Sequence, residues 1–387
     1  MAGLDPAIWG AHWIAGSSPA MLGGRPPNGI TVPSWPVVNP QQKGTVRMNT
    51  TMIGLDIAKT VFQVYGEDAH GQPMLSKRLG RGAVEPFFAK LPPATIGIEA
   101  CGSSHHWARR LQALGHAVRL IPAAYVRPFV KRNKTDARDA VAICEAMQRP
   151  DMRFVPIKSI EQQAARGIET ARELLVRQRT QLMNAMRGLS AEFGIVVAQG
   201  STGFAALCAR IAAGDPALPA ALLPSLRLMR QQWQALNDAV DVQQAQLVAR
   251  AKADPVMRLL MGVPGIGPLT AHAIVAAIGD GRQFGSARDF AAWAGLTPRE
   301  QQSANKRRLG HISRQGDPGV RRLLTLGASA VLRQVRAEPR RGTAWLRGIL
   351  TRRPVKVAVV AQAAKTARIA WAMLRSGEAY RVAAPAI

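Results

Sequence analysis

The sequence predicts three successive architectures: an α/β domain with a mixed sheet, a pair of long helices, and a basic, mostly α-helical domain. Three observations predict this. Short apolar runs bounded by Gly and Pro alternate with helical stretches up to about residue 155. Apolar residues then recur at seven-residue spacing between 159 and 252. From 255 onward Gly and Pro punctuate a helical pattern whose basic residues come in clusters.

The elements follow in order. Residues 1–47 hold Trp9, Trp13 and Trp35 among many Gly and Pro and show no periodicity. They lack the basic start and apolar core of a signal peptide. They are expected to be a disordered extension, or to precede a true start at Met48. Domain boundaries are then placed at 48–155, 156–254 and 255–375, with a tail at 376–387. In the first domain, 52–66 reads as a strand pair or a strand with its turn, and 73–79 as a further strand. A short apolar strand over 94–100 ends in Glu99, helix 103–114 and strand 116–121 follow, and a helix opens at Thr135 as its N-cap.

In the second domain Ile168, Leu175, Leu182 and Leu189 fall seven apart, with Ala171, Gln178 and Ala185 at the intervening position. Leu222, Leu226, Met229, Trp233, Leu236, Val240 and Leu247 make a second line, and a Gly/Pro/Ala-rich stretch, 194–220, separates the two. The pattern fits an antiparallel coiled-coil hairpin; it also fits two helices of an ordinary bundle.

Charge narrows the function. The 387 residues carry a formal charge of +27, of which +16 lies in 255–387. Arg predominates in Lys306-Arg307-Arg308, Arg321-Arg322, Arg340-Arg341 and Arg352-Arg353, and its planar fork suits phosphate. Nucleic acid is the partner class this favours. No apolar run of about 18 residues is free of charge, so no membrane span is expected. Cys101, Cys144 and Cys208 are far apart and odd in number, which fits a reducing, cytoplasmic setting and makes no zinc pattern.

Four acids stand out in the first domain. Asp56 interrupts an apolar strand, where an unpartnered charge is expensive. Glu99 ends another strand, and Asp136 and Asp139 share one helix face at i and i+3. Oxygen ligands converging from strand ends and a helix suit Mg²⁺ or Mn²⁺, and paired metals serve phosphodiester chemistry. The alternatives are a solvated, salt-bridged face around Arg138 for Asp136 and Asp139, and a cap on helix 103–114 for Glu99.

In the third domain, Val263-Pro264-Gly265-Ile266-Gly267-Pro268 reads as a helix-hairpin-helix turn. Gly265 and Gly267 would let backbone N–H groups meet a phosphate, or would make a plain helix–helix connection. Further on, a serine in a Gly/Pro-bounded loop beside Lys306, Arg307 and Arg308 could serve as a nucleophile on phosphate, because the cations lower its pKa; a loop serine rarely does so, and no general base stands beside it in the sequence.

These motifs carry a resemblance. Gly54-Leu55-Asp56-Ile57-Ala58-Lys59, then Gly97-Ile98-Glu99-Ala100-Cys101-Gly102-Ser103-Ser104-His105-His106-Trp107, then Lys134-Thr135-Asp136-Ala137-Arg138-Asp139-Ala140 is similar to the RuvC-like DEDD domain of IS110/IS1111 family transposases. The resemblance implies a ribonuclease-H-like fold with Asp56, Glu99, Asp136 and Asp139 as the metal-binding tetrad, and places His105 and His106 on a helix face or at DNA. The block from Ala291 to Leu324 resembles the transposase domain of the same family, with Ser303 at its catalytic serine and Ser313 a weaker candidate. Ala304 and Asn305 stand where Gly is common. The resemblance covers about residues 50–335. It implies site-specific recombination of donor and target DNA guided by an element-encoded RNA, with Arg321 and Arg322 among the nucleic-acid contacts. It also implies a homo-oligomer, a dimer of dimers. The rival readings are a metal-dependent junction nuclease needing no Ser303, a nucleic-acid-binding protein whose catalysis has decayed, and an assembly factor built on the coiled coil.

Overall fold

The structure, a computed structural model, describes residues 50–130, 136–303 and 306–381, and of Asp136, Ser303, Lys306 and Arg307 the backbone alone. The extension 1–47, the Thr135 cap, Ala304-Asn305 and the tail beyond Arg381 lie outside the described residues.

The stretch 52–66 folds as a strand pair. Strands β1 (Met52–Ile57), β2 (Val61–Glu67) and β3 (Pro73–Gly80) form an antiparallel meander. After helix α1 (Val84–Phe88), β4 (Thr95–Glu99) returns parallel to β1. Helix α2 (Ser104–Ala113) then leads to β5 (Ala117–Ile121), parallel to β4. The strand order is β3-β2-β1-β4-β5, and α3 (Ala123–Val126) and α4 (Asp136–Met147) complete the domain.

Successive strand side chains point to opposite faces, so each strand feeds two cores. Ile53, Leu55, Ile96 and Ile98 pack with Trp107 and Leu111 of α2 on one face. Met52 packs with Ile143, Cys144 and Met147 of α4 on the other. On that second face the sequence places glycine where α4 crosses. A Cβ on Gly54 would lie 2.0 Å from the Ala140 carbonyl oxygen, and one on Gly97 would lie 2.8 Å from the Met147 sulfur. Only bare backbone admits the helix this close.

The arm begins at Ser159, which caps α5 (Ile160–Ala191) in a reciprocal capping box with Gln162. Helix α7 (Leu223–Ala253) runs back along it. The contact line on α7 is close to that read from the sequence, with Leu226, Val240 and Leu247 buried. On α5 the line differs in part. Ala171, Gln178 and Ala185 are exposed, and Leu189 is 39 % exposed. Ile168, Leu175 and Leu182 are half-buried, and Ala165, Arg172, Arg179 and Met186, again seven apart, take the intervening place expected of Ala171, Gln178 and Ala185. Two are polar rungs. Arg179 donates to Asn237 (2.9 Å) and Arg172 to Gln244 (2.6 Å), so a step of seven residues forward on α5 is a step of seven backward on α7. Such rungs favour one register, because a slip breaks both hydrogen bonds. The Gly/Pro/Ala-rich stretch read as a connector contains helix α6 (Ser201–Ala213), whose Phe204, Leu207 and Ile211 build a small core with Met186 and Leu226.

Beyond Asp254, helices α8 (Pro255–Met261), α9 (Pro268–Ile278), α10 (Ala287–Trp293), α11 (Pro318–Ala337), α12 (Ala344–Arg352) and α13 (Val355–Ser376) make the basic domain. Strands β6 (Pro298–Ser303) and β7 (Lys306–Ile312) pair antiparallel between α10 and α11. The helical pattern expected from 255 onward is therefore interrupted by a ribbon. Helix α13 is long and apolar enough to cross a membrane by length and composition. It carries Lys356, Lys365 and Arg368, and its Ala363, Ala367, Ala370 and Met373 belong to the core shared with α9 and α11.

The glycine seat under α4 predicts a sharp contrast. Gly54→Ala should lower stability by about 1–3 kcal/mol through overpacking. Gly82→Ala, where nothing lies within 4 Å of the added carbon, should change it little. Thermal denaturation of the two variants checks this.

Candidate active site and nucleic-acid interface

The close seat of α4 positions the acids. At one end of the helix, Gln148 donates to Glu67 (2.8 Å), which pairs with Met52 at the start of β1. Further back along α4, Ala140 lies over Gly54. The helix thus runs antiparallel to β1, and its first turn, with Asp136 and Asp139, lies toward the C-terminal end of β1, where Asp56 stands. Neighbouring β4 is in register through Leu55 and Ile98, so Asp56 and Glu99 follow as adjacent residues. By strand alternation both project to the α4 face, as Gly54 and Gly97 do.

Two observations support this convergence. The Cys101 thiol is pushed up by burial and then by the charges of Glu99 and Asp56, so both carboxylates act on one point. Asp139 Oδ1 is buried without a hydrogen-bond partner in a half-buried residue, so at least one of its oxygens does not face solvent. Glu99 does not cap α2: the N-cap is Ser103, in the left-handed region at φ 67°, and no side chain caps that end. Among the described residues no group of three or more His, Cys, Asp or Glu side chains is placed to hold a metal ion; the Asp136 side chain lies outside them. The donor set is all carboxylate oxygen, the chemistry of a hard divalent cation, and an orphaned carboxylate oxygen is what such a cation satisfies.

The two histidines do different work. His105 Nδ1 accepts from the Lys158 backbone N–H (3.2 Å). Burial, then the charges of Lys158 and Arg109, lowers its pKa to about 4. Arg109 donates to the Lys158 carbonyl (2.5 Å) and to Gln163 (2.8 Å). His105 and Arg109 therefore tie α2 to the root of α5. His106 is exposed and meets Trp107 edge to face.

Ser303 lies on the ribbon and not in a Gly/Pro-bounded loop. The pair Ser303–Lys306 closes it, followed by Gln302–Arg307 and Gln301–Arg308. Arg308 is exposed and Leu309 is 62 % exposed. The ribbon's base is braced by backbone. Ser313 N–H donates to the Thr297 carbonyl (2.8 Å), and Arg314, at φ 56°, donates to that of Gly295 (3.2 Å). Arg321 donates to the carbonyls of Gln315 (2.7 Å) and Ala294 (3.2 Å). Arg322 is ion-paired with Glu173 on α5. These two arginines hold the ribbon's base and α11 in place. The acids stand on the α/β domain, and Ser303 stands on the ribbon between α10 and α11.

Gly265 has a packing reason. It adopts φ 91° and its carbonyl oxygen would lie 1.8 Å from a Cβ on Gly327 of α11. Gly267, the N-cap of α9, has open space around it and no capping side chain. Sequence reading missed a charged junction between the arm and this domain. Glu169 on α5 meets the fully buried His272 of α9 (2.6 Å) and Arg166, and Arg166 meets Asp317 (2.5 Å), the N-cap of α11. An unpartnered histidine in the apolar α9 was its one sequence signal.

Comparison with known proteins agrees with this architecture. A family model described as a transposase, the DEDD type of IS110, matches residues 53–192. A second, described as the transposase IS116/IS110/IS902 family, matches 257–345. Three proteins named as transposases align over 86 % of this chain: y4pF/y4sB of Sinorhizobium fredii, a family 20 protein of Pseudomonas aeruginosa, and the protein of insertion sequence element IS1111A of Coxiella burnetii. Their identities are 48 %, 46 % and 37 %, and the alignments cover 86 %, 99 % and 92 % of their own lengths. An acid-edged, ribonuclease-H-like α/β domain joined to a basic helical domain thus defines a transposase, an enzyme that cleaves and rejoins DNA. More particularly, the chain belongs to the IS110/IS1111 family.

His105 supplies a pH test. Its value in the fold lies below the ordinary 6.5, so protonation favours the unfolded chain. The stability it contributes is complete above pH about 6.5 and is lost as pH falls toward about 4. Denaturation midpoints measured over that window should fall in the wild type and fall less in His105→Gln.

Proposed function

We propose that the chain is the site-specific recombinase of an insertion sequence, with a carboxylate tetrad and a serine nucleophile acting on one DNA phosphodiester. Membership of the family supports the reaction, and the observation that carries the site is Asp139, whose buried Oδ1 lacks a partner beside the Asp56–Glu99 edge. Asp56, Glu99, Asp136 and Asp139 would hold a divalent cation, Mg²⁺ or Mn²⁺. When bound, it would neutralise charge building on the phosphate oxygens and orient the scissile bond.

The remaining work falls to the chain. Ser303 Oγ attacks phosphorus, an O–P bond to serine forms, and the sugar oxygen leaves. Reversal onto a second duplex rejoins the strand. Lys306, Arg307 and Arg308 crowd positive charge along the attacking ribbon. The acids stand on the α/β domain and Ser303 on the C-terminal ribbon, which suits an assembly in which one protomer's ribbon meets another's acid edge. A dimer of dimers held through a coiled-coil arm suits two duplexes. At Gly267 the N-terminus of α9 lies in open space, and a phosphate would meet it there as in a helix-hairpin-helix turn. An element-encoded RNA chooses donor and target by base pairing, and the protein grips backbone. The enzyme works in the cytoplasm, at the nucleoid.

Recombination between donor and target plasmids carrying the element ends tests the serine. Wild type should give junctions and Ser303→Ala none; equal junctions would replace this reading with a metal-dependent junction nuclease. A second test reads metal without activity. Mn²⁺ should raise the melting temperature of the wild type. In Asp139→Asn that rise should vanish. The metal-free variant should melt at or above the wild type, because an unsatisfied buried carboxylate costs about 1–3 kcal/mol.

A further inference from the structure

Between Pro318 and Ser376 the chain carries 13 Lys and Arg and a single acid, Glu338. Most of these cations are engaged within the chain. Arg321 and Arg322 brace the ribbon and α5, and Arg340 and Arg341 both pair with Glu338. Arg347, Arg352 and Arg368 donate to backbone carbonyls, and Lys365 lies 4.3 Å from the centre of the Trp345 ring. Among the described residues, the side chains of Arg333, Arg336, Arg353, Lys356 and Arg375 form no ion pair or hydrogen bond, and Arg333, Arg336 and Lys356 stand together. These three line one groove of about 720 Å³ between α11 and α13, floored by Leu332, Val355 and Val359.

The placement opposes stability. Lys356 stands in the first turn of α13, which has no acid and no capping side chain; a cation at that end is disfavoured by the helix dipole. Arg333 and Arg336 share one face of α11 at i and i+3 and leave their charges uncompensated. Repulsion of this kind is relieved by an anion.

We infer that this groove is a second DNA contact, taking the sugar-phosphate backbone of duplex DNA that flanks the reacting phosphodiester. The inference rests on the DNA-recombinase reading above and deepens it. Charge complementarity selects a polyanion. No aromatic side chain lines the groove, so it offers no platform for the stacked bases of a single strand. Its apolar floor suits the faces of deoxyribose, and its cations suit consecutive phosphates. Position agrees: the ribbon leads directly into α11, and Arg333 lies 15 residues beyond Pro318, about 22 Å along the same rigid helix. The ribbon and the groove can therefore engage one duplex. Such a contact fixes position and is indifferent to sequence.

The test measures binding of the full chain to a 30-base-pair duplex of unrelated sequence, by fluorescence anisotropy across a salt series. Each phosphate contact contributes about 0.9 to the slope of log affinity against log salt. The triple variant Arg333→Gln, Arg336→Gln, Lys356→Gln should lose about 2 to 3 from that slope and weaken binding at least tenfold. Arg336→Gln alone should lose about 1, and serves if the triple variant does not fold. Arg340→Gln with Arg341→Gln, whose partners are internal, should lose less than the triple variant does. An unchanged slope in both groove variants overturns the inference. So does a loss confined to a structured RNA hairpin or to anionic vesicles with duplex binding intact. Wild type that fails to bind duplex DNA at all overturns the recombinase reading with it. Normal wild-type and Ser303→Ala binding with an unaffected groove variant rejects the groove alone.

Discussion

The close approach of one helix to the sheet is the constraint on which the acid edge depends. Helix α4 lies against bare backbone at Gly54, where any side chain would meet the Ala140 carbonyl and lift it, and at Gly97 its Met147 and Ile143 side chains fill the space a Cβ would take. That seat sets the height of Asp139 over the sheet and the run of α4 toward the end of β1. The parallel pairing of β1 and β4 then brings Asp56 and Glu99 side by side without further help. Three acids from two strands and a helix are thus brought to one edge by packing at positions with no chemistry of their own.

A second constraint holds the arm to the rest. The rungs Arg172–Gln244 and Arg179–Asn237 favour one register of α5 on α7. The junction of Glu169, His272, Arg166 and Asp317 fixes how α5 lies on α9 and α11. Breaking one partner of a buried ion pair costs about 3–5 kcal/mol, because the other is left uncompensated. Asp317 also starts the helix that follows the ribbon, so the root of the arm and the root of the ribbon share one residue. A tilt of the arm must load the turn from which the ribbon rises.

Much of this was legible in the sequence where burial imposes a pattern. Asp56 showed itself by interrupting an apolar strand, and Glu99 by ending one. Helix α6 was hidden by its Gly and Ala content, although Phe204, Leu207 and Ile211 kept helical spacing. The ribbon was hidden for a better reason. Pro298-Arg299-Glu300-Gln301-Gln302-Ser303 faces no core, and a strand with no buried face has no alternation to read. On α5 the line Ile168, Leu175, Leu182 was legible, but its companion line was not, because that line's rungs are arginines and a search for apolar heptads passes over them. The junction around His272 joins residues up to 151 positions apart, and its one local signal, a histidine in an apolar helix, does not say what it meets.

Asp139 has a consequence on the scale of generations. In a chain selected only to fold, a carboxylate oxygen buried without a partner is a defect that many single substitutions would repair. If Asp139 holds the cation as proposed, keeping it is a burden carried only while that work is under selection. When an insertion element falls silent that burden has no return, and drift at this position should be among the earliest marks of its retirement.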